Sequence, residues 1–442
     1  MEPLLIWLVT ALVALAIWLP YAARFRRARR EDVARLAEAT RLGIDRPLGQ
    51  YPLIAADSCI GCGACVRACP EGDVLGVVHG RATVINGVRC IGHGLCAEAC
   101  PVGAITVGLG DLGGRDDIPR LDADLQTTVR GVYIAGELGG YALISNAVAQ
   151  GRRAALAVAR SLEGRREAAP WDLVVVGAGP AGLAAALTAR EQGLRCVVVD
   201  QQDAGGTILQ YPRRKLAMVQ PLEIPLYGTL SAGEYAKEDL LALWRELVGA
   251  HRLDVRKGER LASLDGSCDR FAVVTTGGHH AARRVILALG RRGTPRRLGV
   301  PGEDAAKVSY QLVDAAGYRD LDLLVVGGGD SAVEAAIGLG RESGNRVSIS
   351  YRKPRLVRIK RRNAERLEPL LAAGTVRFIG DSLVRTIRDG VVDLTVGGEA
   401  LSLPNDYVFV MAGGEPPYPL LRQAGIGFGG EPPAVAQPAD HE

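Results

Sequence analysis

Seven of the nine cysteines, Cys59, Cys62, Cys65, Cys69, Cys90, Cys96 and Cys100, fall within one short stretch of a 442-residue chain. Thiols at that density are either a disulfide framework or metal ligands. A disulfide framework belongs to small secreted domains, whereas a chain of this length has room for about three domains of ~100–200 residues. With 48% hydrophobic residues, 23% charged residues and 56 glycines, the composition is that of a globular α/β protein. The clustering therefore reads as metal binding in a reducing compartment. Cys196 and Cys268 stand alone and read as inert packing or surface thiols. A formal charge of +4 and the lack of any recognition motif exclude nucleic acid as a partner.

The spacing sharpens the metal. Residues 59–70 read Cys59-x2-Cys62-x2-Cys65-x3-Cys69-Pro70. Three such thiolates can wrap one cubane, while the fourth, expected at the start of a helix, points to a second cluster. Residues 51–110 resemble bacterial two-cluster 4Fe-4S ferredoxins, including a second Cys-Pro pair at Cys100-Pro101. The resemblance implies an α+β domain with crossed ligation: Cys59, Cys62, Cys65 and Cys100 on cluster one, and Cys90, Cys96 and Cys69 on cluster two. The second half departs from the family, because His93 stands where its second cysteine belongs. Three outcomes stay open there: His93 ligates iron, the site holds a three-iron cluster, or it holds none.

At the amino terminus, Leu4 to Ala23 run twenty residues without a charge. At ~1.5 Å per residue that spans the ~30 Å hydrocarbon core of a bilayer. Arg24, Arg26, Arg27, Arg29 and Arg30 come after the apolar run and only Glu2 precedes it, the reverse of a signal peptide. The expectation is one transmembrane helix over 1–24, with everything after it in the cytoplasm. Residues 25–50 are expected to be a linker whose amphipathic helix, 31–42, acts as a spacer.

Two stretches carry dinucleotide-binding patterns. In residues 172–202 an apolar strand leads into Gly177-x-Gly179-x-x-Gly182, an alanine-rich helix and a second strand ending at Asp200. The glycines permit a tight turn and close backbone approach, the helix amino terminus stabilises a pyrophosphate, and the acid accepts ribose hydroxyls. Residues 321–351 repeat the pattern as Gly327-x-Gly329-x-x-Ala332, but Tyr351-Arg352-Lys353 replaces the acid and Arg358 continues the basic run. Cations there suit a 2′-phosphate, favouring NADPH over NADH. His279-His280 is read as part of a polar turn without a role.

Residues 170–430 resemble thioredoxin-reductase-like flavoproteins in these two units, in GGTILQYP (205–212), where the family's FAD loop lies, and in DYVFVMAGGEPP (406–417). The resemblance implies FAD on the first unit, with Gly206 and Thr207 in its loop, and NADP or NAD on the second. The segment that closes the family's FAD domain is missing after residue 417. A matching one, TTVRGVYIAGELGGYALISNAVAQGRRA, occupies 127–154 and brings Gly136, Glu137 and Asn146 as further FAD residues. A circular permutation is inferred, with 111–168 completing an FAD domain whose main body is 169–295, a nicotinamide domain at 296–415 and a return to the FAD domain with a tail at 416–442. The expected fold class is α/β: two Rossmann-like three-layer domains plus the ferredoxin domain and the transmembrane helix.

Thioredoxin reductases keep a CxxC pair before the second glycine motif, and 308–318 has no cysteine. Dithiol chemistry is therefore disfavoured, and the pattern looks similar to ferredoxin-NADP reductases of the thioredoxin-reductase type. The expected chemistry is hydride exchange between nicotinamide and FAD, then single-electron steps to cluster one and cluster two, with no catalytic acid or nucleophile. The competing readings are an FAD-dependent disulfide or quinone reductase and an electron-wiring or redox-sensing subunit. The expected partners are a redox protein or quinone and the membrane; a homodimer is left open.

Overall fold

The computed structural model describes residues 2–111, 115–164, 169–213, 215–267, 270–291 and 293–430. Cys268 and the tail beyond Gly430 lie outside them. The chain divides into two compact units, the first running to Gly108 and the second starting at Leu109.

The first unit opens with α1 (Glu2–Leu42), one uninterrupted helix with Pro20 inside it. Its apolar half is long enough to cross a membrane and turns Trp7, Leu12 and Trp18 outward. This differs from the expected anchor followed by a separate spacer. Residues 22–42 are rich in alanine, arginine, leucine and glutamate, strong helix formers that carry the helix on. Its last turns dock. Asp32 accepts a hydrogen bond from the Val77 amide at 2.6 Å, Arg35 bridges Asp32 and Asp73, and Ala39 is buried.

Around that helix end, β1 (Tyr51–Ile54) pairs antiparallel with β4 (Ile105–Gly108), and β2 (Leu75–Val78) forms a hairpin with β3 (Arg81–Val84). Two short helices, α2 (Ala64–Ala68) and α3 (Leu95–Glu98), carry Cys65 and Cys96, which share a small core with Cys69, Val74, Leu75 and Ile105. Cys69 caps the end of α2 rather than starting a helix.

The second unit is built on two sheets. In the first, β6 (Trp171–Val176) lies between β7 (Cys196–Asp200) and the long strand Gly278–Leu287, all parallel. Strand Asp254–Lys257 adds beyond β7, and an antiparallel pair, 261–267 and 270–275, adds to the long strand. A further strand, β5 (Val132–Ile134), pairs parallel with Val285–Leu287. Helix α4 (Ile144–Leu162) packs on α5 (Pro180–Glu191), both closing over the sheet through fully buried small and aliphatic side chains such as Ala154, Val158, Leu183 and Ala185. The sequence ahead of the first glycine motif therefore supplies a strand and a helix to the domain that contains it.

The second sheet is wholly parallel, with strands in the order 308–309, 407–410, 322–326, 346–350 and 376–379. An antiparallel meander over 382–404 packs against it through Val384, Val392 and Leu394. After this sheet the chain returns to the first one. Leu421, Ile426 and Phe428 are buried beside Val132 and Ile134, and Phe428 bridges Pro119. His279 and His280 lie in the strand Gly278–Leu287, not in a turn, and His280 is buried with Nε2 2.7 Å from Glu259. A histidine pair carries no apolar signal, so its place in a half-buried strand leaves no alternation to read.

Candidate functional site

The cysteine region folds into two differently exposed groups. Cys69, Cys90, His93 and Cys96 line one cavity together with Glu71, Leu75 and Ile91. Burial pushes the Cys90 thiol up to about 11, and the neighbouring Cys69 and Cys96 push the same way. Burial likewise raises Cys65, Cys69 and Cys96. Thiols crowded so that each resists the others' ionisation give up their protons when a cationic centre takes the charge, which is the donor chemistry of an iron-sulfur cluster. Among the described residues no three His, Cys, Asp or Glu side chains gather as ligands of one ion would. Cluster ligands bind separate irons and stand around a larger body.

The other group is more open. Cys62 is exposed, Cys59 and Cys100 are half-buried, and Cys65 is buried. Backbone amides of Ala82 and Ala104 donate to the Cys59 and Cys100 sulfurs, each at 3.3 Å. At His93, Nδ1 accepts from the Leu95 amide at 3.3 Å, and burial lowers its pKa below the usual histidine range. Gln50 had no signal in the sequence. Its buried side chain donates to the carbonyls of Ile91 (3.3 Å) and Gly92 (2.9 Å), fixing the loop between Cys90 and His93. Glu71 was also missed, a buried carboxylate two residues after Cys69.

The first glycine motif sits between β6 and α5. A Cβ on Gly177 would lie 2.3 Å from the Ala288 carbonyl oxygen, and one on Gly182 would lie 1.8 Å from that of Gly177, so neither position admits a side chain. Gly179 caps α5 and meets Gly206 of the 205–212 loop, where Thr207 lies in a 3-10 turn. Asp200 turns onto the loop itself, accepting from the amides of Ala178 (2.6 Å) and Gln202 (2.7 Å), and burial raises its pKa. Gly136 lies against the first turn of α5, where a Cβ would stand 3.1 Å from that of Ala181, and its amide donates to Gln150 of α4 at 2.8 Å. Glu137 comes next, exposed at the head of a short turn, and Asn146 donates to the Ala142 carbonyl at 2.7 Å. The structure thus brings Gly136 and Glu137 to the glycine motif from the segment that precedes it.

The second motif has the same turn with different surroundings. Gly327 follows the strand Asp322–Val326, Gly329 caps α6 (Asp330–Gly340), and Ala332 is fully buried. The Tyr351 ring covers Gly328, whose Cβ would fall 2.3 Å from it. Next to it Lys353 has its pKa lowered by burial and by the positive charges of Arg352 and Arg358. Three cations that repel one another form a place for an anion. Cys196 begins β7, and burial pushes its thiol to about 12, the state of an inert packing residue.

These features match known proteins over both units. A 4Fe-4S dicluster family matches residues 51–101, and the pyridine nucleotide-disulphide oxidoreductase family matches 174–437. The chain belongs to the pyridine nucleotide-disulphide oxidoreductase family. Within it, a ferredoxin-NADP reductase of Ignicoccus hospitalis is 33% identical over 255 residues, covering 56% of this chain and 78% of the relative. A bacilliredoxin reductase of Bacillus subtilis is 28% identical over 57% of this chain and 80% of its own length. Among solved structures, a bacillithiol disulfide reductase of Bacillus cereus superposes with a TM-score of 0.53 at 29% identity, covering 58% of this chain and 82% of that one. This member of the family is therefore a thioredoxin-reductase-like, flavin-dependent oxidoreductase fused to a 4Fe-4S ferredoxin domain.

Proposed function

We propose that the protein is a membrane-anchored NADPH oxidoreductase that passes electrons between the nicotinamide, FAD and two iron-sulfur clusters of its own chain. The observation that carries this reading is the placement of Gly136 and Glu137, from the segment directly after the ferredoxin domain, at the first glycine motif. It supports a circular permutation that joins the cluster domain to the flavin site through a short stretch of chain.

The bound groups supply hydride exchange at the nicotinamide and single-electron exchange at the clusters. The chain's residues do the rest. The α5 amino terminus and the Gly177–Gly182 turn receive a pyrophosphate, Asp200 fixes that turn, and Thr207, Glu137 and Asn146 flank the flavin. Arg352, Lys353 and Arg358 hold the 2′-phosphate. Cys59, Cys62, Cys65 and Cys100 hold one cluster; Cys69, Cys90 and Cys96, with His93 as the candidate fourth donor, hold the other. α1 anchors the chain with its domains in the cytoplasm, and a redox protein or quinone completes the transfer.

A disulfide reductase reading draws on the names of the relatives. Against it stands the sequence after Cys268, which contains no cysteine. Anaerobic assay of the purified chain with NADPH, offering an oxidised ferredoxin, a short-chain quinone and a low-molecular-weight disulfide in turn, tests the reading: turnover with the disulfide alone would contradict it.

A further inference from the structure

We propose that the loop bearing Cys59 and Cys62 rests on an anionic lipid surface, making this the membrane-side edge of the cluster domain. The inference rests on the anchor reading of α1 and adds which face of the domain the bilayer meets.

The apolar run ends at Ala23 and the arginines begin at once. Arg29 lies beyond Ala23 by roughly 9 Å along the helix axis, within the headgroup layer. A Cβ on Gly80, in the β2–β3 turn, would lie 3.7 Å from an Arg29 guanidinium nitrogen. The hairpin tip therefore stands beside the arginine belt. That tip also abuts the ligand loop, since a Cβ on Gly61 would lie 2.1 Å from the Gly80 carbonyl oxygen and Ala82 donates to the Cys59 sulfur. About a turn further on, Asp32 binds the Val77 amide of β2 and Arg35 pairs with Asp73 just ahead of that strand, which ties the helix to the hairpin.

The exposed surface there suits lipid headgroups. Ile60, between Cys59 and Cys62, is 64% exposed, and Cys62 is exposed as well. Arg67, which donates to the Cys62 carbonyl, and Arg81, next to Gly80, are exposed, with Asp57 the opposing charge nearby in sequence. An apolar tip ringed by arginines is attracted to an anionic surface and can seat in its headgroup boundary. At the other cavity the ligand cysteines are more enclosed, with Cys69 and Cys96 buried. Electrons leaving by the Cys59–Cys62 edge would then reach partners confined to the membrane plane.

The test uses the full-length holoprotein in vesicles of phosphatidylcholine and phosphatidylglycerol, with a photocrosslinking residue in place of either Ile60 or Leu95, an exposed side chain on α3 beside the other cavity. Cluster absorbance checks that each variant keeps its iron. The expected result is flotation of both variants with the vesicles and several-fold more lipid crosslinking from position 60 than from 95. Equal yields, a greater yield from 95, or crosslinks from 60 to a second copy of the chain would overturn the inference while flotation leaves the anchor intact. Failure to float would overturn both, and flotation alone distinguishes that failure from the others.

Discussion

The two glycine motifs share a turn and differ at the end of their second strand. In the first, Asp200 at the end of β7 accepts amides of its own loop and holds the turn in shape. In the second, Tyr351 stands at that place, its ring covers Gly328, and Arg352, Lys353 and Arg358 converge beside it. The strand and helix set where a pyrophosphate can sit; the residues after the second strand set which nucleotide is preferred. The two nucleotide domains differ in assembly as well. The second is continuous in sequence, whereas the first takes β5 and α4 from ahead of its motif and a buried tail from beyond the other domain.

Removing residues 111–168 tests that difference most severely. The deletion strips β5 and α4 from the first nucleotide domain and should abolish FAD retention, while nicotinamide binding by the second nucleotide domain persists. Stoichiometric flavin in the purified deletion protein would show that the first motif needs no help.

A smaller effect is expected at the cations. Arg352→Ala with Lys353→Ala removes charge-assisted hydrogen bonds worth about 1.5–3 kcal/mol, so NADPH should bind on the order of ten- to a hundredfold more weakly. NADH, which lacks the phosphate, should change little. Titration calorimetry with both coenzymes separates the two, and parallel losses would assign these residues to structure alone.

Asp200→Ala should act on the first nucleotide domain only. It leaves the Ala178 and Gln202 amides without their acceptor, at about 1–3 kcal/mol, and should weaken FAD by roughly tenfold or more. NADPH affinity measured on the same variant should stay put.

The smallest effect concerns Glu303, in the loop leading into the second nucleotide domain. Burial alone would raise its pKa, but hydrogen bonds from Tyr310 (2.6 Å) and the amides of Leu298 (2.5 Å) and Gly299 (2.8 Å) hold it below the usual carboxylate range. Its folded pKa lies below the unfolded one, so the stability it contributes is full above the unfolded value of about 4.3 and is lost as pH falls through the folded value. Glu303→Gln should lower Tm by a few degrees at neutral pH and flatten the acid limb of the stability profile, as read by thermal denaturation across pH.

Much of this was legible in the sequence because it depends on spacing. The cysteine intervals, the glycine turns and the displaced GVYIAGE segment are local signatures, and the fold puts Cys69, Cys90, His93 and Cys96 around one cavity. What the sequence concealed are contacts between distant residues. Gln50 reaches across forty-odd positions to the Gly92 carbonyl, and Asp32 reaches the Val77 amide, with no periodicity to announce either. The continuity of α1 has another reason: the run of arginines after the apolar stretch reads as a boundary, but strong helix formers and the docking of its last turns favour one helix.

On this reading nicotinamide electrons reach the clusters within one chain. Anaerobic addition of NADPH to the purified holoprotein, monitored together by flavin absorbance and by electron paramagnetic resonance, tests it most directly. Flavin bleaching and then reduced-cluster signals are expected, at a rate independent of protein concentration. Flavin that bleaches while clusters reducible by dithionite stay oxidised, or cluster reduction that scales with protein concentration, would contradict it.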